Sequence, residues 1–210
     1  LAEMKKFILP HEYPELDFRQ MNIHLLEGSP RTLAAMSEKS SEQSCKYLDK
    51  LGVKVMTNTM VKDYDGKEVL LNDGRKIPAS IVIWAAGIQG NIPEGIDKSL
   101  IVRGNRIKTD RRCRVEGYNN IYAIGDLAYM ETPGFPKGHP QVAPVAMQQA
   151  ALLGENLIRE ERKSGKFFDF EYHDKGTMAT VGRHLAVVDI PKPRLHFGGL
   201  LAWLVWMSLH

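Results

Sequence analysis

Asn120-Ile121-Tyr122-Ala123-Ile124-Gly125-Asp126 is the stretch on which the fold turns: an apolar run that closes on glycine and then a carboxylate. A continuous apolar run of this length suits a strand buried on both faces of a parallel sheet. The Gly-Asp end then brings an acid to the sheet edge, where it can accept hydrogen bonds from sugar or ribityl hydroxyls, and the glycine leaves room for a ligand chain. The competing reading is that Asp126 simply caps the turn that follows. Ile81-Val82-Ile83-Trp84-Ala85-Ala86-Gly87 repeats the pattern upstream. Gly87 there either admits a ligand close to the backbone or closes an ordinary strand-to-loop turn.

Around these two runs the chain reads as alternating strands and helices. Asn22-Ile23-His24-Leu25-Leu26-Glu27 is a β-type run broken by Gly28-Ser29-Pro30. Residues 37–51 read as a helix with Glu38, Glu42, Lys46 and Lys50 on its wet side, stopped by Gly52. Val53-Lys54-Val55-Met56 is the next strand. Residues 61–77 read as a meander with turns at Asp65-Gly66 and Asp73-Gly74. After a linker over 89–95, residues 106–110 read as a strand. A loop with three prolines over 132–140 leads to a helix over 144–163, with Pro144 suited to the first turn. Residues 167–172, 177–181 and 185–190 read as strands, and Pro191 and Pro193 end that region. The fold class is therefore α/β: two incomplete, paired dinucleotide-binding (Rossmann-like) lobes, a C-terminal β region and the start of an amphipathic helix.

Composition narrows the function classes. The 210 residues are 43% apolar and 25% charged, enough for a core and unlike a disordered chain. The net charge of +3 is scattered, with no stripe that would hold nucleic acid. The only cysteines, Cys45 and Cys113, are far apart and lack a Cys-x-x-Cys partner, so a thiol redox pair is not expected and a reducing compartment fits. No metal cluster and no catalytic nucleophile stand out. Both ends read as cuts, since Leu1 is not an initiator methionine and the apolar run after Gly198 simply stops.

Three further features point to a site. Glu27, at the end of a β run, is placed as a ribose-binding acid would be in a dinucleotide fold; otherwise it is a solvated strand-end carboxylate. Ala143-Pro144-Val145-Ala146-Met147-Gln148-Gln149-Ala150 opens a helix whose electropositive N-terminus would suit the pyrimidine edge of a flavin; otherwise its glutamines face water. The tail from Phe197 to His210 carries two of the three tryptophans and is shorter than the ~20 residues a bilayer span needs. It reads as an interfacial membrane segment or as a core or oligomer-interface helix.

Taken in order, Leu25-Leu26-Glu27-Gly28-Ser29-Pro30-Arg31, the 81–87 run, Ile121 to Asp126, Ala143 to Ala150, the stretch Lys175-Gly176-Thr177-Met178-Ala179-Thr180-Val181-Gly182-Arg183 and the Trp-rich tail resemble the type II NADH:quinone oxidoreductases. The resemblance covers nearly the whole chain and implies an enzyme that oxidises NADH through FAD and reduces a quinone. It implies NAD at Glu27, Ala86 and Gly87, and FAD at Gly125, Asp126, Ala146 and Met147. Gln148 and Gln149 would lie on the quinone side, with Lys175 near the flavin and quinone pocket. Pro144 departs from the family motif, which has glutamine there. The lobes implied are 1–90 for NADH and 91–170 for FAD, with the β region over 171–196 and a membrane-surface helix beginning at 197. The implied location is peripheral, on the cytoplasmic face of the cell membrane. Another FAD- and NAD(P)-dependent reductase, or an inert, self-associating piece of such an enzyme, are the alternatives. Incomplete sheets with exposed edges imply self-association.

Overall fold

The computed structural model describes residues 1–209. In chain order the elements are a π-helical turn (Met4–Ile8), α1 (Leu9–Glu12), β1 (Ile23–Leu26), α2 (Glu38–Lys50), β2 (Val53–Met56), β3 (Val61–Tyr64), β4 (Glu68–Leu71) and β5 (Lys76–Pro78). They continue as β6 (Ile101–Val102), β7 (Arg106–Thr109), β8 (Ala128–Met130), α3 (Ala143–Glu161), β9 (Thr177–Gly182), β10 (Leu185–Ile190), β11 (Leu195–Gly199) and α4 (Leu200–Leu209). Two compact units result. One comprises Leu1–Ile83 with the chain from Lys175 onward, and the other comprises Trp84–Asp174.

In the first unit β1 and β2 pair in parallel, from Ile23 beside Val53 to Leu26 beside Met56, and α2 connects them. A parallel pair needs such a crossover, because a tight hairpin reverses the chain. Ser37 caps α2 by accepting the Ser40 N–H at 3.2 Å, and Gly52 at φ +76° follows its end. Glu38, Glu42, Lys46 and Lys50 are exposed as expected, while Ser40, Ser41, Ser44 and Tyr47 face inward. The meander is also as expected. Strands β3, β4 and β5 are antiparallel in that order, and the Asp65 carboxylate accepts the Lys67 and Glu68 N–H groups across the first turn.

The antiparallel sheet β9-β10-β11 completes this unit. Tyr47 of α2 packs with Met36 and Val187, and a Cβ on Gly198 would lie 3.1 Å from the Tyr47 hydroxyl, so a larger residue there would push the tyrosine aside. A polar latch fastens the start of α2 to β10 and β11. The Asp189 carboxylate accepts from the Ser37 N–H at 2.7 Å, the Ser37 hydroxyl at 2.8 Å and the Ser40 hydroxyl at 2.8 Å, with His196 Nδ1 at 3.1 Å. A carboxylate at a helix N-terminus also complements the helix dipole. Burial pushes this carboxyl up, but the Ser37, Ser40 and His196 donations outweigh it and hold the group below the usual carboxylate range.

In the second unit β7 pairs antiparallel with β6 and parallel with β8. Ile107, Val115, Ala123 and Ala128 form one core cluster, and Cys113, Met130, Val145 and Phe170 form another that seats α3. Helix α3 begins at Ala143 with Pro144 in its first turn, close to the expected bounds.

Several expectations are corrected. Residues 81–87 form no strand; Ile81 and Trp84 are 74% and 69% exposed. A strand buried on two faces needs neighbours to pair with and helices to cover it, and no described segment pairs with this run. Residues 120–126 form only a single bridge, Arg114 to Tyr122, because Cys113 at φ +66° breaks the partner segment. Their apolar side chains are nevertheless inward: Ala123 is buried and Ile121 and Ile124 are half-buried. Residues 167–172 are irregular and held by bonds to their own surroundings, as from the Phe170 N–H to the Arg111 carbonyl at 2.7 Å. Past Pro191 and Pro193 the sheet gains β11, which was not expected; the prolines sit in the turn, where a missing N–H costs nothing. Helix α4 carries no charged residue, so it is apolar round its circumference and not two-faced. Ala202 is buried against β10, while Leu200, Leu201, Leu204 and Met207 are exposed.

Candidate functional site

The site is built where the run over 121–124 meets α3. The run is extended, with the Val115 N–H on the Ile121 carbonyl and the Ala123 N–H on the Cys113 carbonyl, both at 2.9 Å. It ends at Gly125, whose φ of +63° favours glycine, and the chain turns through a short 3-10 segment (Gly125–Leu127) into β8. A Cβ at Gly125 would lie 3.1 Å from Ala146 Cβ, so the corner sits directly against the first turns of α3. The Gly125 N–H donates to Gln149 Oε1 at 2.7 Å, and the Asp126 carbonyl accepts from Gln141 Nε2 at 2.9 Å. The Asp126 side chain is exposed, and its carboxylate makes no hydrogen bond among the described residues.

The beginning of α3 is open. Val142 at the cap position offers no side-chain acceptor, Pro144 has no N–H, and the Val145 N–H turns back onto the Val142 carbonyl at 3.1 Å, so only Ala143 of the first turn keeps its N–H toward the opening. Met147 is exposed and Ala146 half-buried. Gln149 points inward. Gln148 pairs with the His173 backbone through both amide atoms, Nε2 to the carbonyl at 3.1 Å and the His173 N–H to Oε1 at 3.0 Å. An amide nitrogen carries two N–H donors, so this pairing orients the group and leaves one donor over.

Gln141 also lines a cleft of about 700 Å³ together with Trp84, Ala86, Gly87, Arg106 and Tyr129. Gly87, at φ +111°, faces open space: a Cβ there would meet nothing within 4 Å. Arg106 was not singled out from sequence, because a lone arginine at a strand start carries no pattern. It is buried, donates to the Ala128 and His139 carbonyls, and lies over the Tyr129 ring at 5.3 Å. Burial pushes its pKa down, partly offset by Tyr129 and Asp126. His139 was missed for the same reason. It is buried among Phe135, Phe170 and Tyr172, and burial, then the Arg106 charge, lowers its pKa and keeps it neutral.

Thus the structure gathers Gly125, Asp126, Ala146 and Gln149 at one corner, and places Ala86 and Gly87 in a cleft with Gln141. Glu27 and Lys175 belong to the other unit. Glu27 ends β1 with its N–H on the Met56 carbonyl, and its Oε1 accepts from both the Ser29 N–H and hydroxyl at 2.7 and 2.8 Å. Lys175 is exposed, just before Gly176 and β9. Both cysteines are free; burial, with Asp110 adding, pushes Cys113 up to about 12, and Cys45 Sγ lies 3.2 Å from the Thr32 hydroxyl.

Comparison with known proteins agrees with this architecture. Residues 15–150 match the model of the pyridine nucleotide-disulphide oxidoreductases. Type II NADH:quinone oxidoreductase Ndh of Mycobacterium tuberculosis is 31% identical over 225 residues, taking in 100% of this chain and 46% of that protein. The type II NADH:quinone oxidoreductase of Staphylococcus aureus is 29% identical, taking in 80% of this chain and 42% of the relative. The solved structure of NDH2 from Plasmodium falciparum in complex with NADH superposes with a TM-score of 0.82 at 20% identity, covering 99% of this chain and 58% of that one, a likeness of fold. The chain spans about half the length of the relatives it matches. With a matched stretch that covers most of the chain, and a β-α-β pair and Gly-Asp corner of the kind the fold requires, the chain belongs to the pyridine nucleotide-disulphide oxidoreductase family.

Proposed function

We propose that the full-length protein oxidises NADH through FAD and reduces a quinone at a membrane surface. The observation that carries this reading is the corner at Gly125: an exposed carboxylate on Asp126 next to a glycine seated on α3, whose start has no side-chain cap. An exposed acid suits sugar or ribityl hydroxyls, an open helix N-terminus suits developing negative charge, and the space at Gly87 admits a ligand against the backbone. These features fit FAD, held by Gly125, Asp126 and the backbone at Ala146 and Met147. For NADH, Glu27 is a candidate ribose acceptor within the first unit, and Gly87 beside Ala86 leaves open backbone for the nucleotide within the second. Bound FAD would supply hydride acceptance and electron delivery, and the residues of this chain would orient the partners. The names of the relatives support the same reading.

Stopped-flow spectroscopy of the full-length protein tests it. NADH is expected to bleach a flavin absorption band, and a quinone is expected to restore it; a protein without that band, or one not bleached by NADH, refutes the reading. Gln148, oriented by His173, would donate its remaining N–H to a quinone carbonyl; Lys175, exposed in the other unit, is a separate candidate. Gln148→Ala is therefore expected to leave bleaching unchanged and slow reoxidation roughly five- to thirtyfold, the loss of one hydrogen bond of about 1–2 kcal/mol. Equal slowing of both halves would assign Gln148 to flavin support.

Glu27, oriented by Ser29, would accept from the NADH ribose through its second oxygen. Glu27→Gln is expected to raise the KM for NADH roughly fivefold, about 1 kcal/mol, and to relax rejection of NADPH. An unchanged ratio of the two KM values would leave Glu27 as a strand-end acid bonded to Ser29.

Helix α4 would lie on the cytoplasmic surface of the membrane, with Leu200, Leu201, Leu204 and Met207 turned outward. Among the described residues no helix is long and apolar enough to cross a membrane. The same exposed apolar surface, with the uncovered run over 81–84, would drive self-association in its absence. Flotation with lipid vesicles and sedimentation without them measure both; a protein that does neither removes this part of the reading.

A further inference from the structure

Gln149 is 1% exposed, the most deeply placed polar side chain of α3. A buried amide is retained at a cost unless its bonds are made, so its partner matters. That partner is the backbone N–H of Gly125, at 2.7 Å. Ala146, one helical turn earlier on the same face, meets the same glycine through its methyl group. A small residue and a glutamine on one face of α3 thus form a seat for Gly125. From the other side of the corner Gln141 holds the Asp126 carbonyl at 2.9 Å. Two glutamine amides therefore clamp successive backbone groups at 125 and 126, and neither touches the Asp126 carboxylate.

We propose that Gln149 is a positioning residue: it acts through Gly125 to hold the Asp126 carboxylate in fixed relation to the start of α3, and does not itself touch a substrate. The inference rests on the reading that Asp126 binds FAD. Without the Gln149 acceptor, Gly125 has a half-buried donor to satisfy, and the corner can turn to find an acceptor. Asp126 would then lose its aim while keeping its chemistry.

The test is a double-mutant cycle in the full-length protein, read as the Kd for FAD on reconstitution of the apoprotein by quenching of flavin fluorescence. Gln149→Leu keeps the volume and removes the acceptor; roughly tenfold weaker FAD binding is expected, the usual size for one buried bond. In an Asp126→Ala background, Gln149→Leu is expected to add less than about twofold, because the group it aims is gone. Should Gln149→Leu fail to accumulate, Gln149→Asn, whose oxygen is one methylene short, completes the cycle. Independent, multiplying effects of the two sites would overturn the proposal, as would normal FAD affinity in Gln149→Leu beside weakened affinity in Asp126→Ala. Wild-type protein that takes up no FAD would overturn the functional reading and this inference together.

Discussion

Asp126→Ala in the full-length protein is expected to weaken FAD binding roughly ten- to hundredfold. The carboxylate is exposed, makes no hydrogen bond among the described residues and stands at a corner whose backbone is held by Gln141 and Gln149. Removing it should therefore disturb the ligand and not the fold. A hydrogen bond from a hydroxyl to a charged group contributes about 1.5–3 kcal/mol, which sets the range. Asp126→Asn, which retains one acceptor oxygen without charge, is expected to fall between. The measurements are flavin content after purification and Kd on reconstitution, with the melting temperature of the apoprotein as control. Unchanged flavin affinity would reduce Asp126 to a turn residue.

The largest effect on stability is expected at Asp189. Its carboxylate is the common acceptor for the Ser37 N–H, the Ser37 and Ser40 hydroxyls and His196, and it is only 19% exposed. Asp189→Ala leaves several of these donors without a partner at the start of α2. Buried donors left unsatisfied cost about 1–3 kcal/mol each, but some will reach water, so a loss of about 3 kcal/mol is expected. For a chain of this size that lowers the melting temperature by roughly 6–12 °C. The same latch makes stability depend on acid. A carboxyl whose folded pKa is depressed contributes stability that is present above its ordinary value of 3.8 and is lost as pH falls through the lower folded value. Wild-type protein is therefore expected to destabilise more steeply than Asp189→Ala does as pH falls from 3.8 to the lower folded value. Parallel pH dependences, or a melting temperature within a degree or two of the wild type, would show that the latch adds nothing.

Much of this is legible in the sequence. Ser37 and Gly52 bracket α2, the two Asp-Gly turns set the meander, and Pro144 opens α3, because caps and turns depend on a few adjacent residues. The apolar patterns of 81–87 and 120–126 were legible as apolar but not as to form. A run of that kind becomes a strand only if another segment offers its backbone, and residues far along the chain decide that. Cys113, at positive φ, interrupts one partner, and no described strand pairs with the other. Strand β11 was hidden because prolines ordinarily end a sheet; here they occupy the turn and the chain re-enters.

The sequence by itself determined the local events: where helices start and stop, which turns reverse the chain, and that an acid follows glycine at the end of an apolar run. Its resemblance to a family named residues, but did not say which of two adjacent glutamines faces inward. Only the tertiary structure separated them, turning Gln149 onto Gly125 and Gln148 onto His173, and only it joined Ser37, Ser40, Asp189 and His196 into one latch. The physical reason is range. Capping and turn energies are settled within a few residues, whereas a buried hydrogen bond depends on which distant backbone group packing brings within about 3 Å.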